Sequence, residues 1–304
     1  MRWRLSIELN VVIKIILTIL IILLFMLTIV VAYFFLYDIE TKEPSNIEED
    51  CIIEKNEFMG RKVFTISPNK DSQEKKYILY FHGGSYVAEA TENHWEFLEK
   101  IVRDTGYNII MPDYPLTPKY NYKDVFNMVT PLYKEILDNI NPSDLILMGD
   151  SAGGGLALGL YEELSNKFVE LPSKTILISP WLDVRMENKD IAKVQKNDDI
   201  LNKESLKIAG IAYAGEEGMD KYLVNPILGD LSKLKNVIVY TGTYDILYPD
   251  IKLLEEKTNL QGGKVEIKEY EGAKHIWLID NNSDADITKN AYNSLIEDLK
   301  TRSE

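Results

Sequence analysis

Apolar residues fall along this chain in one long run and several short ones. The long run is residues 15–37, IILTILIILLFMLTIVVAYFFLY, 23 positions without a charge. The short runs lie at 77–81 (YILYF), 107–111 (YNIIM), 144–148 (DLILM), 174–179 (KTILIS), 236–240 (NVIVY) and 264–270 (KVEIKEY). Near-continuous rather than alternating, they predict strands buried on both faces of a parallel sheet. Between them, helical spacing recurs at about 91–104, 122–139, 152–166, 250–260 and 285–300. In the last of these, Ile287, Ala291, Leu295 and Leu299 stand four apart on one face. Alternating strands and helices predict an α/β fold, a mostly parallel central sheet with helices on both faces. Residues 182–222 break the rhythm. Polar, mostly helical in pattern and too long for a simple connection, they predict a small helical cap inserted over a site.

The long run makes about 34 Å of helix, enough to cross a hydrocarbon core about 30 Å thick. It is too long for the apolar core of a signal peptide. It also ends in the bulky Tyr33, Phe34, Phe35, Leu36 and Tyr37 rather than in a small-residue cleavage site. Arg2, Arg4 and Lys14 precede it, while Asp38, Glu40, Lys42 and Glu43 follow. The positive-inside rule then predicts a single-pass signal anchor with a cytoplasmic tip and everything after it outside. The expected organisation is a tip and anchor at 1–37, a polar tether at 38–56 and a catalytic domain at 57–304.

Composition narrows the chemistry. The 304 residues carry a formal charge of −14. Removing Arg2, Arg4, Lys14 and Glu8 with the first 37 residues takes this to −16. An acidic chain without a basic stripe argues against nucleic acid as a partner. A single cysteine, Cys51, excludes an intrachain disulfide and Cys-based zinc sites. Histidine chemistry must come from His82, His94 or His275, the only three present.

Two glycine motifs point to nucleophilic catalysis. Gly149-Asp150-Ser151-Ala152-Gly153 follows the apolar run LILM and precedes the helical run LALGLYEEL. This is G-x-S-x-G in the strand–turn–helix setting it requires. A serine on so sharp a turn is pushed clear of the sheet, and side chains at the flanking glycines would collide across the turn. The helix that follows brings the Ala152 N–H beside a developing oxyanion. His82-Gly83-Gly84-Ser85 follows the strand YILYF, where glycines let backbone N–H groups face a cleft, the other half of an oxyanion hole. His82 is expected to brace that loop by hydrogen bonding.

A serine needs a base, and the base an orienting acid. His275 follows the strand KVEIKEY on a loop that can reach the carboxyl edge of the sheet. His94 reads as a surface-helix residue. For the acid, VIVYTGTYDILYPD offers two aspartates. Asp245 comes five residues after Tyr240 and is favoured; Asp250 opens a helical run and is better read as an N-cap.

With these pieces in order, residues 60–300 resemble the hormone-sensitive-lipase-like branch of the α/β-hydrolases, a group of esterases and lipases. The matching segments are HGGSY at 82–86, DYPLTP at 113–118, GDSAGG at 149–154, SPWLD at 179–183, NPILGDLSKL at 225–234, TYDILYPD at 243–250 and GAKHIW at 272–277. The resemblance implies an α/β-hydrolase fold with Ser151 as nucleophile, His275 as base and Asp245 as triad acid. It also implies an oxyanion hole from the N–H groups of Gly83, Gly84 and Ala152, with no metal or organic cofactor. This sequence departs from the family at Ser85, where many members have a third glycine, and at Pro115, where arginine is usual. The family's amino-terminal cap is largely replaced by the anchor and tether. The expected activity is hydrolysis of small or short-acyl esters beside a membrane. The alternatives are an amidase, arylformamidase or peptidase on the same scaffold, and a catalytically silent, membrane-anchored binding module.

Overall fold

The computed structural model describes residues 2–36, 38–44, 51–69, 75–280 and 285–301. It divides into two compact units, Met1–Asp38 and Ile39–Glu304. The first is helix α1 (Arg2–Leu36). Its stretch Val12–Ile29 has a mean hydropathy of 3.0 and no buried residue, so by length and composition it can cross a membrane.

In the second unit an eight-stranded sheet carries the chain. Strands β1 (Cys51–Phe58), β2 (Arg61–Pro68), β3 (Tyr77–Phe81), β4 (Asn108–Pro112), β5 (Leu145–Asp150), β6 (Lys174–Ile178), β7 (Val237–Gly242) and β8 (Val265–Tyr270) lie in the order β1-β2-β4-β3-β5-β6-β7-β8. Strands β3 to β8 pair in parallel; β1 and β2 are antiparallel. The continuous apolar runs follow from burial on both faces. Leu79, Phe81, Leu147, Leu177 and Val239 face one core. Alternating with them, Ile78, Tyr80, Met148, Ile176, Ile178 and Tyr240 face the other. Helices α2 (Glu92–Thr105) and α8 (Ala285–Lys300) cover the second face. Helices α3 (Tyr122–Leu137), α4 (Ser151–Asn166) and α7 (Tyr248–Gln261) cover the first. Residues 182–222 contribute two short helices, α5 (Ile191–Val194) and α6 (Lys203–Ala214).

After β3 the chain crosses to β4 on one side, then returns to β5 on the other, so the strand order reverses at β3. Ligands of open α/β sheets bind outside the carboxyl ends of the strands at such a reversal. The HGG loop leaves β3 and the serine motif leaves β5, two strands paired from Tyr77↔Leu145 to Phe81↔Gly149. Strand pairing therefore brings the two glycine motifs together.

Of the expected tether at 38–56, residues 45–50 lie outside the described residues, and residues 51–56 are not linker but strand. Cys51–Phe58 is the edge strand of a hairpin with Arg61–Pro68. Its Glu, Lys and Asn side chains point to solvent, so a paired strand has the composition of a linker. The turn, Met59-Gly60, has φ of 51° and 76°. Both values suit a two-residue hairpin, but methionine carries no turn signal. Ahead of the hairpin, the buried Thr41 donates its N–H to Asp113 Oδ1 (2.8 Å), and the Trp95 indole donates to the Lys42 carbonyl (3.1 Å).

Asp113 is fixed from its other side by Arg61, whose guanidinium lies 3.1 Å from Oδ2 and whose Nε donates to the Asp113 carbonyl at 2.8 Å. Both side chains are buried, and burial pushes the Asp113 carboxyl up even with Arg61 and Thr41 opposing it. Removing one partner of such a pair leaves a buried charge. Arg61→Ala is therefore expected to destabilise the fold by about 3–5 kcal/mol, read as a lowered urea midpoint.

Candidate active site

Ser151 is the first residue of α4 and directly follows the last residue of β5. Its φ is 50°, in the left-handed region, a conformation that costs an L-residue on the order of 1–2 kcal/mol. The turn leaves no room at its flanks. A Cβ built on Gly153 would lie 2.0 Å from the Phe81 carbonyl oxygen, and one on Gly149 2.4 Å from that of Gly153. Both positions require glycine.

His275 arrives from the loop after β8, which is laced to the loop after β7. Thr243 N–H donates to the Tyr270 carbonyl (3.1 Å), Tyr244 N–H to the Ala273 carbonyl (3.0 Å), and Gly272 N–H to Thr243 Oγ1 (2.9 Å). These bonds bring Asp245 against the imidazole. His275 Nδ1 lies 2.8 Å from Asp245 Oδ2, and Nε2 lies 2.9 Å from Ser151 Oγ. Asp245 Oδ1 accepts the Leu247 N–H at 2.8 Å. A carboxylate at Nδ1 places the ring proton there, which leaves Nε2 to accept from the serine hydroxyl. All three residues are buried. Burial opposes a charged imidazole, but the charge and hydrogen bond of Asp245 outweigh it and raise His275 above the ordinary histidine value. Asp198, from the 182–222 segment, pushes the same way. Its carboxylate also accepts the N–H groups of Ile246 (2.9 Å), Ile200 (2.9 Å) and Leu201 (2.8 Å).

Asp250 lies elsewhere. It is no N-cap but the third residue of α7, whose first turn Tyr248 and Pro249 open. Its Oδ1 accepts from Asn188 Nδ2 (2.8 Å), and its Oδ2 has no hydrogen-bond partner among the described residues. Burial pushes the carboxyl up to about 6. A carboxyl raised on folding contributes stability while it is protonated and loses it as pH climbs through the folded value. Asp250→Asn is thus expected to gain on the order of 2 kcal/mol over the native chain between pH 4.5 and pH 7.5, measured by urea unfolding.

The glycine loop sits beside the serine: a Cβ built on Gly83 would lie 3.1 Å from Ser151 Cβ. His82 is buried and stacks on Tyr114, with ring centroids 4.5 Å apart. Its Nδ1 donates to the Gly83 carbonyl at 2.7 Å. Burial, then the neighbouring His94, lowers His82 to about 4. One expectation changes here. The Gly83 N–H donates to Asp150 Oδ1 at 2.8 Å and so is not free for an oxyanion. The N–H groups of Gly84 (φ 114°) and Ala152 have no acceptor among the described residues. Ala152 directly follows Ser151, and Gly84 follows the Gly83 that packs on it.

His94 is no surface residue either. It is 4% exposed, with Nε2 facing Asp150 Oδ2 at 3.4 Å. Glu92, Asn93 and Glu96 around it give α2 a polar opening, while His94, Trp95, Leu98, Ile101 and Val102 form its inner face. Burial pushes the Asp150 carboxyl up, but His94 and then the Tyr80 hydroxyl outweigh it and hold it below the usual range. Sequence reasoning missed His94, Asp198 and Tyr80. The one signal for them is Thr91 three residues before His94, the spacing of a helix capping box. Among the described residues, no cluster of three His, Cys, Asp or Glu is placed to hold a metal ion.

On the other side of the serine, Trp181 N–H donates to the Ser151 carbonyl (2.8 Å). Its ring packs on Tyr86 (5.7 Å), which stacks on Tyr213 of α6 with centroids 3.6 Å apart.

The chain is similar to known proteins. An esterase of Acinetobacter venetianus is 32% identical over 198 residues, 64% of this chain; the chain spans 65% of that esterase's length. An acetyl-hydrolase of Streptomyces hygroscopicus is 25% identical over 67% of this chain and 69% of its own. A solved Staphylococcus aureus protein, proposed to be an esterase, superposes with a TM-score of 0.80 at 26% identity, covering 86% of this chain and 88% of that one. The profile of a family described as alpha/beta hydrolase fold matches residues 78–279, from the second residue of β3 to just beyond His275. The chain belongs to the alpha/beta hydrolase fold family.

Proposed function

We propose that this chain is a serine-dependent carboxylic ester hydrolase acting on short-acyl esters. The observation that carries the reading is the unbroken chain from Ser151 Oγ through His275 to Asp245, at 2.9 and 2.8 Å. His275 Nε2 takes the hydroxyl proton as Oγ attacks the ester carbonyl carbon. The oxyanion is met by the N–H groups of Gly84 and Ala152. The carbonyl–oxygen bond to the alcohol breaks as His275 returns the proton to the departing oxygen. Water then attacks the acyl-enzyme, giving one proton to His275, and the acid leaves as Ser151 regains its hydrogen.

Short acyl groups are favoured by the buried Tyr213–Tyr86–Trp181 stack, which is joined to the serine turn by the Trp181 N–H on the Ser151 carbonyl. The acetyl-hydrolase relative supports the same reading. Helix α1 serves as a membrane anchor, with Arg2, Arg4 and Lys14 on the cytoplasmic side and the catalytic unit outside.

The test is turnover of p-nitrophenyl esters from acetate to palmitate by the full chain in detergent, together with fluorophosphonate labelling. Turnover is expected to fall from acetate to palmitate. A rise toward palmitate overturns the short-acyl reading, and faster turnover of matched amides replaces esterase with amidase. A chain that takes no label acts as a binding module. External protease on intact cells is expected to remove the activity; full protection overturns the outward orientation.

A further inference from the structure

The proposed oxyanion loop does not hold itself in place. Gly83 is tied through its N–H to Asp150 Oδ1, which also accepts the Tyr80 hydroxyl at 2.6 Å. Asp150 Oδ2 faces His94 Nε2 at 3.4 Å. Asp150, His94, Tyr80 and Gly83 therefore form one buried cluster behind the serine, and the mechanism above draws on none of its protons.

His94 reaches this cluster because of how α2 begins. Thr91 is the N-cap and His94 the N3 residue of a capping box. The Thr91 N–H donates to His94 Nδ1 at 3.0 Å, and the Thr91 hydroxyl lies 2.8 Å from the same atom. A nitrogen that accepts a backbone N–H cannot carry the ring proton. The proton must sit on Nε2, the atom aimed at Asp150. The helix cap thus fixes the tautomer, and the tautomer supplies the donor for Oδ2.

We propose that His94 is a positioning residue for the oxyanion loop. Its Nε2–H fixes the Asp150 carboxylate, Asp150 holds the Gly83 N–H, and this aims the next N–H, that of Gly84, at the carbonyl over Ser151. The proposal rests on the serine-hydrolase reading of the site. It adds a residue 57 positions before the nucleophile, on a different helix.

The test compares fluorophosphonate labelling rates of the full chain in detergent, because the phosphoryl oxygen uses the same N–H groups whatever the natural substrate. His94→Phe keeps a ring and removes both nitrogens. Deleting an oxyanion donor outright costs about 10²–10³ in rate, so misaiming one is expected to slow labelling about tenfold or more. His94→Gln keeps an amide donor and is expected to stay within about threefold of the native rate. With p-nitrophenyl acetate, the loss in His94→Phe should fall on kcat and leave KM unchanged. A folded His94→Phe chain that labels at the native rate overturns the proposal alone. A native chain that takes no label overturns the serine-hydrolase reading and this proposal with it. A measurement on the native chain covers the case in which His94→Phe does not fold. With three histidines, ¹⁵N-histidine NMR is expected to show one ring, His94, as the Nε2–H tautomer bonded to a backbone amide. An Nδ1–H ring at His94 overturns the proposal.

Discussion

Ser151→Ala is expected to lower kcat on p-nitrophenyl acetate by about 10⁴- to 10⁶-fold while KM moves by less than about threefold. The substitution removes one atom, the Oγ that lies 2.9 Å from His275 Nε2. It leaves the N–H groups of Gly84 and Ala152 in place, so carbonyl binding persists and the loss falls on the chemical step. The change should also separate catalysis from stability. Alanine at a φ of 50° is as strained as serine, whereas glycine is not. Ser151→Gly is then expected to be as inactive as Ser151→Ala but more stable, by about 1 kcal/mol in urea unfolding. Residual turnover near the native level in either variant would remove Ser151 from the mechanism.

Asp245→Asn is expected to cost about 10⁴ in kcat, for a reason legible in one further hydrogen bond. Asp245 Oδ1 accepts the Leu247 N–H at 2.8 Å, so an asparagine must keep its oxygen there. Its NH₂ then faces His275 Nδ1, which can only accept. The ring proton moves to Nε2, the atom that has to receive the serine proton. The charge is lost as well. In the native chain Asp245 raises His275 against the opposing effect of burial, and the ring is a base only when neutral. Activity should therefore rise with pH on an acid limb lying above the ordinary histidine value of about 6.5. The residual activity of Asp245→Asn should show that limb displaced to lower pH. Profiles of kcat/KM from pH 5 to 9 check both. Asp250→Asn, bonded to Asn188 rather than His275, should leave the limb where it is.

The sequence made the proposed triad residues plain and the residues around them obscure. Ser151, Asp245 and His275 stand in motifs whose backbone requirements are written in glycine or in strand ends. The central strands announce themselves because burial on both faces leaves no room for polar residues between apolar ones. The edge is different. β1 exposes most of its side chains, so CIIEKNEF reads as linker, and a Met-Gly turn hides the hairpin. Strand β8 escaped the same fate because Val265 and Ile267 still pack on one core while Tyr270 packs on the other. His94 was misplaced because charged neighbours on α2 outweigh a single inward imidazole. Gly83 was assigned to the oxyanion because a motif does not say which N–H is already taken. That needs the distance to Asp150, a contact made across 67 residues.

The position of β3 and β5 has a consequence for partial unfolding. They are the fourth and fifth strands of eight, with three strands beyond each. A sheet frays from its edges, where amides have one neighbour rather than two. Opening at β1 or β8 must pass through three strands before it parts the serine turn from the glycine loop. The serine turn and the glycine loop therefore belong to the slowest-exchanging layer of the protein, whereas His275 follows the edge strand β8. They are kept or lost together, and a chain frayed at its hairpin still carries the serine and its glycine loop intact.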